Sequence, residues 1–303
     1  MLSTLFNTIR QQIIGHFNGG TYSQRSGLVS LGCNHQAFKI HDTSPCWTSS
    51  SFSSTSCTTI MDTTSSPSYS SNNIFVICVD GNIGVGKSRL CNLIQQFIKR
   101  EFNDIPLCHV VENVEKNIDL FKLYLSNQCE HGLDFQKWII SDKVEQFVEQ
   151  YGQTNSKRMI VLMDRSLLAD RHVFVRNLVE KNLLTPEQHG LYIEYFEQLL
   201  RKHPRNLFYP DFHIVIDACI DTAMERISRR NRVGESSVYT KDYLELIERF
   251  HKDMYQSLLS EYAGIDRGIN NSKLFRFDNN TNHNITSIDQ IPNLFVHSIS
   301  TEC

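Results

Sequence analysis

Eight residues constrain this chain more than any other feature: Gly81-Asn82-Ile83-Gly84-Val85-Gly86-Lys87-Ser88. They match G-x-x-x-x-G-K-[ST] in full. The apolar run Ile74 to Asp80 leads into them and has the length of a buried strand. Ser88 to Arg100 leads out, with Leu90, Leu93, Ile94 and Phe97 at helical spacing. The chemistry accounts for each position. Glycines let the backbone wrap an anion so that its N–H groups and the following helix N-terminus face phosphate. Lys87 is expected to reach the β- and γ-phosphates of a nucleoside triphosphate, and Ser88 to help hold Mg²⁺.

The chain then alternates strand and helix. Cys108 to Val111, Met159 to Met163, Phe212 to Ile216 and Lys273 to Phe277 read as short apolar strands. Phe135 to Gln150, Thr185 to Lys202, Asp221 to Arg232 and Lys241 to Glu261 read as helices between them. That order implies an α/β fold whose parallel sheet is covered on both faces.

Residues 1–72 differ in kind from residues 73–303. From Thr43 to Ser71, 19 of 29 positions are Ser or Thr, a composition that predicts disorder across 1–72. Ahead of it, Leu2, Leu5, Phe6, Ile9, Ile13 and Phe17 recur at helical spacing, in a start poor in acidic residues. This is the composition of an organelle transit peptide, so the expected location is mitochondrial or cytoplasmic. Nine scattered cysteines without a Cys-x-x-Cys pair argue against a disulfide framework or structural zinc. A net charge of −3 gives no nucleic-acid or membrane-surface signal, and no apolar run is long enough for a spanning helix.

Four further stretches resemble the deoxynucleoside kinase family, over about Ile74 to Asn282. Val110-Val111-Glu112-Asn113-Val114 stands where the family has Glu-Pro-Val, with Asn113 in place of the Pro. Leu123-Tyr124 and Phe135-Gln136 match the family's substrate helices. Asp164-Arg165-Ser166 to Asp170-Arg171 to Phe174 resembles its Glu-Arg-Ser, Asp-Arg and Phe stretch, with Asp for Glu at the first position. The segment Arg226 to Glu235 resembles its lid.

The resemblance implies a three-layer P-loop kinase fold with an Arg-rich lid, acting on a deoxynucleoside and ATP, commonly as a homodimer. It makes Glu112 the base that takes the 5′-hydroxyl proton. Tyr124 and Glu235 would meet the 3′-hydroxyl, Gln136 would pair with the base and Phe174 would stack on it. Arg165 would bind the 5′-oxygen and transferring phosphoryl group, Asp164 the metal, and Arg226, Arg230 and Arg232 the phosphates. Lys143 and Asp170 stand where the family's base-selecting Arg and Asp stand. An Asp there would accept from an exocyclic amino group, which favours deoxyadenosine, deoxyguanosine or deoxycytidine over thymidine, with purines first. Two other readings are a nucleoside monophosphate kinase and a catalytically silent structural subunit of the same fold. Intact Lys87, Ser88, Glu112 and Arg165 argue against the second.

Overall fold

The computed structural model describes residues 2–18, 73–154, 156, 158–232, 234–265 and 274–280. In chain order these form α1 (Leu2–Asn18), β1 (Ile74–Asp80), α2 (Lys87–Glu101), β2 (Leu107–Val110), α3 (Ile118–Ser126), α4 (Gln128–Gly152) and β3 (Met159–Asp164). There follow α5 (Leu167–Ala169), a π-helical turn (Asp170–Val175), α6 (Arg176–Glu180), α7 (Pro186–Lys202) and α8 (Arg205–Phe208). The last elements are β4 (Phe212–Asp217), α9 (Ile220–Arg230), α10 (Glu235–Val238), α11 (Lys241–Ile265) and β5 (Leu274–Asp278).

The five strands make one parallel sheet in the order β2-β3-β1-β4-β5. Every residue of β1 is buried, and its side chains divide by the two-residue period of a strand. Ile74, Val76 and Cys78 join the layer containing α3, α4 and α7, with Phe121, Phe135, Phe147 and Phe196. Phe75, Ile77 and Val79 join the opposite layer, with Leu90, Ile94 and Phe97 of α2. This two-sided burial is why the strands read as unbroken apolar runs.

Residues 2–18 correct the expectation of disorder through residue 72. They form a helix whose Leu5, Phe6, Ile9 and Ile13 are fully buried in the α2 layer. Phe6 meets Phe97 at 4.9 Å between ring centroids, and the Arg10 guanidinium donates to Glu101 Oε2 at 2.7 and 3.0 Å. An apolar stripe lowers its free energy when a surface is there to cover it, at roughly 1.5–3 kcal/mol per large side chain. The remainder of the Ser/Thr-rich segment lies outside the described residues. No helix among the described residues is long and apolar enough to cross a membrane.

Local signals fix the other ends. Thr185 and Gln188 form a reciprocal capping box with Pro186 in the first turn of α7. α4 starts earlier than its apolar period suggests, because Asn127 caps it by accepting from the Glu130 N–H.

Candidate active site

The carboxyl ends of β1, β2 and β3 open on one cavity of about 420 Å³, within the range usual for a small-molecule site. Among the described residues, seven cationic side chains line it against four carboxylates. Lys87, Arg89, Arg165, Arg226, Arg229, Arg230 and Arg232 face Glu112, Asp164, Asp170 and Glu235. A chain of net charge −3 thus concentrates positive charge where an anion would sit.

The loop after β1 supplies one wall. Gly86 has φ +104°, and a Cβ on Gly84 (φ +79°) would stand 2.5 Å from the Ala223 carbonyl oxygen, so neither position takes an L side chain without strain. Ile83, Gly84, Gly86, Lys87 and Ser88 line the cavity, whereas Gly81, Asn82 and Val85 shape the loop from behind. The Lys87 ammonium donates to the Asn82 carbonyl at 2.8 Å. Burial and the nearby Arg165 charge push its pKa down to about 7, against the pull of Asp164, Glu112 and Asp80.

Parallel register then sets the second wall. Val79 of β1 pairs with Asp164 of β3, and the Arg165 N–H continues the ladder to the Val79 carbonyl at 3.1 Å. Asp80, buried and missed in the sequence reading, accepts from the Ser166 N–H at 2.8 Å, which ties the two loops together. Burial would raise its pKa, but His213 and Ser166 hold it well below the usual carboxylate range. Arg165 itself adopts φ +71°, a left-handed conformation uncommon for a residue with a Cβ.

Glu112, just beyond β2, lies on the cavity wall. Its Oε2 accepts from Arg165 Nε at 2.9 Å and from Lys143 Nζ at 3.1 Å. Burial opposes ionisation, but Arg165, Lys143 and Lys87 outweigh it and bring the carboxyl down to about 2. That carboxyl is therefore ionised at neutral pH.

Lys143 departs from the expectation of a base contact. It is 1% exposed and stands behind the cavity wall, bonded to Asp170 Oδ2 at 2.8 Å as well as to Glu112. Asp170 does face the cavity, beside Gln136, Phe174, Tyr124 and Phe135. Burial and the Glu112 charge raise the Asp170 carboxyl to about 6 in spite of Lys143. Tyr124 stacks on Phe135 at 4.3 Å. Arg165 lies over the Phe174 ring at 4.4 Å.

The arginine-rich segment closes the third side. Arg226 donates to the Val85 carbonyl at 3.0 Å and the Asn279 carbonyl at 2.9 Å. Arg230 grips Glu235 at 2.7–3.0 Å, and Arg232 reaches Glu115 at 3.1 Å. Glu235 is buried, and its oxygens are held by these arginines. Asn279, after β5, lines the cavity and donates to Val85 O at 2.7 Å.

Ser88 Oγ donates to Asp164 Oδ2 at 2.5 Å, and buried Asp164 Oδ1 has no hydrogen-bond partner among the described residues. One hydroxyl and one carboxylate with an unsatisfied oxygen suit Mg²⁺, which takes most of its ligands from water and substrate phosphates. No cluster of three or more His, Cys, Asp or Glu that could enclose an ion by itself occurs among the described residues.

The sequence also compares with known proteins. The chain is 23% identical over 188 residues to the deoxyadenosine kinase of Lactobacillus acidophilus, covering 61% of this chain and 81% of that one. It is 27% identical over 169 residues to the deoxyguanosine kinase of Bacillus subtilis, covering 56% and 72%. It is 26% identical over 178 residues to the mitochondrial thymidine kinase 2 of Homo sapiens, covering 59% and 63%. The family model described as deoxynucleoside kinase matches residues 77–296. With that match across most of the chain, it belongs to the deoxynucleoside kinase family, the ATP-dependent enzymes that phosphorylate deoxynucleosides.

Proposed function

We propose that this kinase acts on the 5′-hydroxyl of deoxynucleosides that carry an exocyclic amino group, purines first. The observation carrying this reading is Asp170: a buried carboxylate on the cavity wall, beside Gln136 and Phe174 and backed by Lys143. Such a group accepts from an amino edge and is left unpaired by a thymine carbonyl. Relatives named for deoxyadenosine and deoxyguanosine fit this choice and the comparably similar thymidine kinase 2 does not, so the choice rests on Asp170.

In the reaction, Glu112 takes the 5′-hydroxyl proton as the oxygen attacks the γ-phosphorus in line, and the bond to the β,γ-bridging oxygen breaks toward ADP. Its low pKa suits a loose transition state, in which the proton leaves late and passes to the carboxylate as the bridging bond breaks. Lys87, Arg165, Arg226, Arg230 and Arg232 offset the charge on the equatorial and leaving oxygens. Tyr124 and Glu235 hold the sugar 3′-hydroxyl, and Gln136 and Phe174 hold the base. Mg²⁺, held by Ser88 and through water by Asp164, would add charge neutralisation at the phosphates.

A panel of deoxyadenosine, deoxyguanosine, deoxycytidine and thymidine with Mg²⁺-ATP tests the reading, with the corresponding monophosphates as acceptor controls. kcat/KM should favour the amino-bearing nucleosides by 10-fold or more, on the order expected for an unpaired buried polar group. Thymidine as best substrate, or monophosphates preferred over nucleosides, would refute it. Exposed Val148 on α4 and Leu191 on α7 support a homodimer through these helices, which light scattering of the purified chain tests. The acid-poor, Ser/Thr-rich composition of residues 1–72 supports a mitochondrial location and the packing of α1 into the α2 layer opposes its removal as a targeting segment, which imaging of a C-terminally tagged chain tests.

A further inference from the structure

Helix α11 reaches the phosphate-handling loops at two points on one face. The Leu244 carbonyl accepts from Asn82 Nδ2 at 2.8 Å. Seven residues later, two turns on, His251 Nε2 stands 3.4 Å from Arg165 Nη1. His251 is 3% exposed, and its Nδ1 lies 2.9 Å from the Ile247 carbonyl oxygen.

These partners leave one tautomer. A guanidinium only donates and a carbonyl only accepts, so Nδ1 carries the hydrogen to Ile247 and the Nε2 lone pair receives Arg165. Burial and the Arg165 charge push the imidazole down to about 3, consistent with a ring that stays neutral. An ordinary core histidine would need no lone pair aimed at a cavity-lining cation.

Arg165 has reason to need the support. Its backbone sits at φ +71°, and its guanidinium must serve ligand and protein together. Glu112 takes the Nε corner, while the Gly81 carbonyl at 3.1 Å and His251 share Nη1. Nη2 is then the corner available to a phosphoryl oxygen.

We propose that His251 is a positioning residue for Arg165: its neutral Nε2 fixes the plane of the guanidinium from the helix that follows the lid. The proposal rests on the reading that Arg165 binds the transferring phosphoryl group.

Three variants of the full chain test it by kcat, by KM for ATP and deoxynucleoside, and by melting temperature. In His251→Gln the side-chain oxygen replaces Nε2 as acceptor. In His251→Asn the amide keeps the Ile247 contact but is too short for Arg165. Misorientation of a reacting group costs up to about 100-fold, so His251→Asn should lose roughly 10- to 100-fold in kcat while both KM values move less than about threefold. His251→Gln should stay within about threefold of wild type, because the acceptor is restored. A merely structural histidine would penalise both alike or favour Asn. Wild-type kcat in His251→Asn overturns the proposal, as does a large kcat loss in a folded His251→Gln. If His251→Asn does not fold, the Gln variant decides alone. Full activity of Arg165→Ala would instead refute the underlying reading, whatever the histidine variants do.

Discussion

Replacing Lys143 with Met removes one ammonium from a buried cluster and keeps most of the side chain's length. Lys143 stands 2.8 Å from Asp170 Oδ2 and 3.1 Å from Glu112 Oε2, at 1% exposure. At an effective dielectric near 20 each contact is worth on the order of 5 kcal/mol in gross attraction. Most of that is offset by taking the charges out of water, and removing one partner of such a pair nets about 3 kcal/mol or more. Glu112 keeps Arg165 at 2.9 Å, so the loss falls on Asp170.

The pH dependence follows from Asp170. Its folded pKa, about 6, lies above the ordinary carboxylate value, so the folded state binds a proton that the unfolded state releases. Stability contributed by this group therefore falls as pH rises through that range. Without Lys143 the folded pKa climbs further. Lys143→Met should be most destabilised near pH 8 and recover substantially near pH 5. Denaturant unfolding at both pH values, with Asp170→Asn and the double variant, measures this. The two substitutions should couple by at least about 1.5 kcal/mol at pH 8. A loss below about 1 kcal/mol at pH 8, or additive single effects, would refute the argument that this is a mutually dependent buried pair.

Two further outcomes follow. Lys87, held at about 7 in the free protein, should regain its full charge beside the ATP phosphates, so ATP binding takes up a proton and weakens as pH rises from 7 to 9. Calorimetry in buffers of different ionisation enthalpy reads that uptake, and buffer-independent heats at pH 8 would contradict it. Phe6→Ala should cost about 3 kcal/mol of stability, because Phe6 is fully buried against Phe97. Denaturant unfolding checks it, and a change within about 0.5 kcal/mol would mean that α1 contributes little to the fold.

The part of the fold that sequence reasoning read well is the part governed by short-range rules. β1, its glycine loop and α2 declare themselves through period and through backbone positions that only glycine serves cheaply. The stripe of Leu5, Phe6, Ile9 and Ile13 was equally visible, but a stripe says which face is apolar and not what covers it. Phe97, its partner, is about ninety residues away, across a Ser/Thr-rich stretch that suggested a tail. Within the site, most residues carried by motif line one cavity, while Gly81, Asn82, Val85 and Lys143 stand behind it. Lys143 was noticed for Asp170 but not for Glu112, since β2 and α4 meet only in the folded chain. Asp80 and His251 carried no motif, and their bonds to Ser166 and Arg165 span 86 residues each. Arg165's positive φ left no mark, because nothing in its side chain favours that conformation.

The most direct test of the account is the rate with Glu112→Gln, since the carboxylate and Lys87 must act on two ends of one phosphoryl transfer. The substitution keeps the side chain's shape and a hydrogen-bond acceptor for Arg165. With deoxyguanosine and Mg²⁺-ATP, kcat should fall about 100-fold or more while ATP affinity holds within about twofold. A variant that turns over at the wild-type rate would contradict the assignment of Glu112 and the chemistry built on it.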